Sequence, residues 1–136
     1  METNPSPAPL PSSPAESDAR LWNALCHLIS LTGLLTFVGF ILGPLLVWLI
    51  QRDKYPSVDQ HGKESMNLQI SVLIYQVGLV VFGIVGGFVT CGIGVRIAGI
   101  LSLLLFATSV ILVIIASMQA WSGGFYLYPY ILRLIK

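Results

Sequence analysis

The sequence predicts an all-α membrane protein, a polytopic helical bundle with three to four transmembrane segments. Composition is the first observation: 55% of the 136 residues are hydrophobic, mean hydropathy is +0.83, and only 10% are charged. Soluble domains carry roughly 25% charged residues. Charge placement is the second. The charged residues fall in four patches, at 2–20, 52–64, Arg96, and Arg133 with Lys136. The uncharged runs between them are the third, spanning 21–51, 65–95 and 97–132. A soluble chain this small exposes too much of its surface to hide three such runs, so a water-soluble enzyme domain is excluded. The net charge of +1 leaves no basic stripe for nucleic acid. Cys26 and Cys91 make neither a disulfide framework nor a metal-ligand spacing.

Residues 1–19 hold five of the eight prolines and three acids. Such a segment cannot form a core and is expected to be a disordered or polyproline-like leader. It lacks the basic start of a signal peptide. The helical domain is therefore placed at 20–136.

The first apolar run, Leu21–Ile50, would be about 45 Å long as one helix, against a hydrocarbon core of about 30 Å. A strongly tilted single span absorbs the excess. Alternatively Gly39 and Gly43-Pro44 turn the chain back, with Pro44 in the first turn of a second helix. That version has a helix near 21–37, a turn at 38–43 and a short helix through Trp48 to Gln51. The second run starts with Ser57-Val58-Asp59-Gln60, an S-x-x-Q capping box with Asp59 in the favourable first turn. It should continue to Val89 and stop at Thr90-Cys91-Gly92-Ile93-Gly94. The third should cover Val95–Ala120 and end at Ser122-Gly123-Gly124. After Pro129, the segment Tyr130–Lys136 is expected on the membrane surface.

Basic residues in short loops set orientation. If the first run crosses once, loop 51–64 and the C-terminus hold five of the basic residues, with Arg20 and Arg96 opposite. If it turns back, Arg20 joins them and only Arg96 is opposed. Both versions place loop 51–64 and the C-terminus in the cytoplasm, and the second fits the rule better. Trp22 and Trp48 suit interfacial positions in either.

Helices in lipid associate through close packing, so small residues mark contact faces. Ser102, Ser109, Ala116 and Gly123 recur at seven-residue spacing in the third run. Gly83-x3-Gly87 and Gly39-x3-Gly43 are G-x-x-x-G patterns, better suited to packing within the chain than to dimerisation. The second helix also carries a polar file, Gln60, Glu64, Asn67, Ser71 and Tyr75, on one helical side. Such groups are costly against lipid and should face the interior. They would serve as hydrogen bonds between helices or as a hydrophilic entrance from the cytoplasm.

Chemistry has little material. His61 and Glu64 share a helical face, and His27, Cys26 and Asp59 complete the set of nearby ligand types. Zinc needs three or four ligands, and His27 reaches His61 only if the first run turns back or tilts steeply. A capped helix start explains the same residues, so no metal and no cofactor is assigned. Nothing ionisable lies deep in an apolar run to drive coupled transport. No nucleophile elbow, zinc-protease helix or phosphate loop occurs, and the chain is expected not to be an enzyme.

One order of motifs carries a resemblance. It runs Trp22-x4-His27-Leu28, then Gly43-Pro44-x3-Trp48-Leu49, then Val58-Asp59-x-His61-Gly62-Lys63-Glu64-x2-Asn67-x-Gln69-Ile70, then Ala120-x2-Gly123-x2-Tyr126-x-Tyr128-Pro129. Across about 20–135 this resembles a family of small bacterial membrane proteins grouped with the chloroplast import component Tic-twenty. The sequence departs from that family at Thr36-Phe37-Val38-Gly39-Phe40, where relatives carry proline and a polar residue. The resemblance implies a four-segment, multi-pass domain in the bacterial inner membrane, both termini cytoplasmic, associated with protein translocation. The function expected is thus a non-enzymatic scaffold or translocation accessory. It would act through helix contacts with lipids and with a membrane-protein partner or second copy. The alternative is a small oligomeric permeation protein whose polar path runs along Glu64, Asn67 and Ser71.

Overall fold

The computed structural model describes residues 13–34, 36 and 38–136. Among them the chain forms four α-helices in the order α1 (Pro14–Leu28), α2 (Gly39–Gln51), α3 (Pro56–Val89) and α4 (Ile93–Trp121), with a 3₁₀ stretch Ile29–Leu34 after α1 and no strands.

Helix α1 begins inside the segment expected to be unstructured. Ser13 accepts the Glu16 amide at 3.3 Å, Pro14 occupies a first-turn position, and Glu16 pairs with Arg20 at 2.8 Å. Proline, which reads as a disorder signal in composition, here has the fixed φ and absent N–H that suit a helix start. Residues 1–12 of the expected leader lie outside the described residues.

The first apolar run turns back. Its two ends meet: Ala19, Trp22 and Leu25 pack on the buried Cys26, Val47, Tyr55 and Val58. The turn differs from the expected one in position and cause. Ser30 and Thr32 hydroxyls donate to the carbonyls of His27 and Ile29, at 2.6 and 2.7 Å, and the α1 coil tightens into the 3₁₀ stretch. The Gly39 amide then bonds the Thr36 carbonyl at 2.9 Å, and Thr32 Oγ1 reaches Gly39 O at 3.1 Å. A Cβ on Gly39 would lie 2.7 Å from Thr32 Oγ1, and one on Gly43 would lie 2.9 Å from Ile29 O. This G-x-x-x-G therefore lets α2 lie against the preceding 3₁₀ stretch. Pro44 sits inside α2 and is fully buried, not in the first turn.

The S-x-x-Q box at Ser57 does not cap α3. Tyr55, with φ −129° and ψ 102°, is the N-cap and Pro56 takes the first-turn position; the Ser57 hydroxyl instead donates to Asn23 Oδ1 on α1, at 3.1 Å. Helix α3 ends as expected at Val89. Gly92 then adopts φ +95°, and Thr90 Oγ1 accepts the Gly94 amide at 2.8 Å, starting α4.

Helices α3 and α4 are each long and apolar enough to cross a membrane. Helices α1 and α2, at 15 and 13 residues, fall short of the roughly 20 a perpendicular crossing needs. The two long helices form an antiparallel hairpin, and α1 and α2 lean on the half of it nearest Pro56 and Trp121.

Candidate functional site

Because the first run turns back, His27 on α1 comes to the start of α3. Its Nε2 lies 3.1 Å from His61 Nδ1 and its Nδ1 lies 2.9 Å from the Tyr128 hydroxyl, both buried. A neutral imidazole has one donor and one acceptor nitrogen, so His27 can satisfy both partners in a continuous chain of three side chains. The Phe125 ring packs edge-on to His61, 5.0 Å between centroids. Nearby, the Ser65 hydroxyl donates to Cys26 O at 2.7 Å. Among the described residues no three His, Cys, Asp or Glu side chains converge as metal ligands.

The polar file of α3 meets an extended segment rather than another helix. Glu64 Oε1 accepts the Tyr128 amide at 2.8 Å and pairs with Arg133 at 3.2 Å. Asn67 Oδ1 accepts the amides of Leu134 and Ile135, at 3.0 and 2.8 Å, and its Nδ2 donates to Ile135 O at 2.9 Å. Ser71 Oγ accepts the Leu132 amide at 2.7 Å while donating to Asn67 O. Tyr75 Oη donates to Tyr130 O at 2.8 Å. Gln60 is exposed and lies outside this row.

These contacts define a C-terminal strap that dips along α3 and returns. Tyr128 lies beside Glu64, Tyr130 beside Tyr75, and Ile135 is back at Asn67. The apex is Tyr130, with φ +58°, and the dip is about 16 Å deep by helical rise. Irregular backbone at membrane depth is tolerated only where its N–H and C=O groups find partners. The polar file supplies them. Tyr130–Lys136 thus packs along α3, and Glu64, Asn67 and Ser71, the residues of the expected polar path, bond to the chain's own backbone. These backbone partners carry no periodic signal, and only the file facing them was visible in the sequence.

The remaining motif residues also meet inside the fold. Trp48 Nε1 donates to Asp59 Oδ1 at 2.8 Å, Lys63 pairs with Asp59 at 2.6 Å, and the Trp48 ring lies where a Cβ on Gly62 would overlap it. Gly123 takes φ +82° just past α4. Gln69 is fully buried, and neither of its amide atoms has a hydrogen-bond partner among the described residues. Of the small residues, Gly83 and Gly87 lie against Ala98 and Val95 of α4. Ser109 and Ala116 are buried, and Ser102 O accepts Gln76 Nε2 at 3.2 Å.

A family model described as the magnetosome magnetite crystal formation protein family matches residues 18–135. No curated protein and no solved structure matches the chain. This corrects the resemblance to the Tic-twenty-like family, and the translocation role it implied goes with it. Trp48, Asp59, His27, His61, Glu64, Asn67 and Tyr128, which carried that resemblance, bond to one another or to the strap, so these letters are accounted for by contacts within this chain.

Proposed function

Since the chain belongs to the MamF/MmsF magnetosome magnetite crystal formation protein family, we propose that it serves crystal formation as a non-enzymatic membrane scaffold. In this reading α3 and α4 cross the membrane, while the α1–α2 hairpin and the strap enter from the cytoplasmic side without crossing. The observation that carries it is the use of the polar file. Glu64, Asn67, Ser71 and Tyr75 spend their hydrogen-bonding groups on the strap, which supports a structural role over a substrate path. The multi-pass placement in a bacterial membrane rests on the same two apolar helices.

The test is replacement of the chromosomal copy in magnetite-forming cells, with crystal size and number read by electron microscopy. Deletion is expected to give fewer or smaller crystals. Single substitutions in the polar file should act only through the amount of protein held in the membrane. A variant such as Glu64→Gln that is present at wild-type level with an intact fold, yet forms no crystals, would assign chemistry to that side chain and overturn the scaffold reading.

A further inference from the structure

The two ends of the α3–α4 hairpin differ in thickness. Among the described residues of the α1–α2 hairpin, Gly33 and Phe40, on either side of its turn, line a groove with Gln76, Val77, Val80, Val81 and Phe106. The strap reaches Tyr130 beside Tyr75 and Leu105. Beyond Val81, α3 continues to Val89, about 12 Å by helical rise and more than a third of a 30 Å hydrocarbon core. Over that length the described protein is two helices. Nearer the termini it is four helices and a strap, roughly twice the cross-section.

Both additions present apolar side chains outward. Leu42 is 45% exposed, Leu46 54% and Ile50 69% on α2, and Leu134 on the strap is 61% exposed. They therefore occupy space among lipids rather than standing clear of the membrane. The narrow end is bare on its outer faces, with Ile84, Val85 and Phe88 of α3 more than half exposed. Close helix approach in lipid needs small residues, and here most are used internally. Gly83 and Gly87 face α4, and Gly94 faces the Gly86 backbone, leaving Gly99, apart from the turn, in open space in this part of the hairpin. The bare faces thus suit acyl chains better than a second copy. Orientation follows from charge. Arg20, Arg52, Lys54, Lys63, Arg133 and Lys136 lie at the wide end and Arg96 at the narrow one, so the wide end is cytoplasmic.

We propose that the chain is a membrane wedge that recognises a bilayer whose cytoplasmic leaflet is convex. The wide end expands that leaflet by more than the two-helix tip expands the opposite one. A lipid surface curved in this sense relieves the mismatch, whereas a flat one does not. The inference does not depend on the crystal-formation role, because its assay contains no mineral.

The experiment uses the full chain, fluorescently labelled, reconstituted into giant phosphatidylcholine/phosphatidylethanolamine vesicles from which narrow tubes are pulled outward. Orientation is read from access of an impermeant reagent to Cys91 at the narrow end. Molecules with the wide end outside should be enriched several-fold on the tube over the flat vesicle, and those with the wide end inside depleted. Gly99→Trp thickens the narrow end at a position with nothing within 4 Å of a Cβ, and should weaken the enrichment. Equal density on tube and vesicle, or sorting of the same sign in both orientations, would overturn the proposal. So would pairing of chains through the bare faces, seen as energy transfer between two labelled populations.

Discussion

Asn67 does more for the strap than any other single side chain. One amide accepts two backbone N–H groups and donates to a carbonyl, closing the end of an irregular segment that otherwise leaves polar backbone unpaired in an apolar setting. Leucine has a similar branched shape but offers none of these bonds. Asn67→Leu should therefore free the strap, detected as lost hydrogen-exchange protection at Leu134 and Ile135 and as faster trypsin cleavage after Arg133. Unchanged protection would mean that the strap is held elsewhere. Ser71→Ala is expected to be milder, costing about 1 kcal/mol for the lost part-buried hydrogen bond at Leu132, read from unfolding in detergent. The polar file was legible because spacings of three and four align side chains on a helix. Its partner was not, since an extended strap more than sixty residues away announces itself by no period. The same distance hides the link between His27, His61 and Tyr128, whose meeting depends on the turns that join α1 to α2, α2 to α3 and α3 to α4.

Between elements, the α3–α4 contact turns on glycine at close approach. A Cβ on Gly94 would overlap the Gly86 backbone, whereas one on Gly99 meets nothing within 4 Å. Backbone cannot rotate aside as a side chain can, so Gly94→Ala must push the helices apart. A loss of about 1–3 kcal/mol is expected, the usual cost of overpacking. Gly99→Ala should instead stabilise by up to about 1 kcal/mol through helix propensity. Thermal unfolding of the two variants in the same detergent compares them directly, and equal midpoints would refute the contact. The glycine pair on α3 was visible as a pattern, but Gly94 was not singled out, because its partner depends on hairpin register. Helix limits in apolar stretches were close to those expected, as at Val89. Polar starts were misjudged at both α1 and α3, where Ser13-Pro14 and Tyr55-Pro56 let proline set the first turn.

At the level of the whole molecule, the charge pattern already distinguished the two ends, since the basic residues other than Arg96 gather at the end that holds α1, the α2–α3 loop and the strap. Charge left open whether the first apolar run crosses. That was decided by side chains inside the run, the hydroxyls of Ser30, Thr32 and Thr36 and the close approach at Gly39 and Gly43. The turned-back form has a consequence that the single-crossing form reverses. It places Ser13 and Lys136 on one side and Cys91, exposed in the α3–α4 turn, on the other. In membrane vesicles of known orientation, an impermeant maleimide should label Ser13→Cys and Lys136→Cys from the cytoplasmic side, and Cys91 only from the opposite side. Cys26 supplies an internal control. It is fully buried in α1, and burial pushes its thiol up to about 12, so little of the reactive thiolate forms at neutral pH. It should stay unlabelled until the protein is denatured. Labelling of Ser13→Cys and Cys91 from the same side would require the first run to cross, and with it an odd number of crossings before the C-terminus. The clustering of α1, α2 and the strap at one end of the hairpin would then be untenable, because Ala19 and Trp22 could not pack beside Val47 and Tyr55.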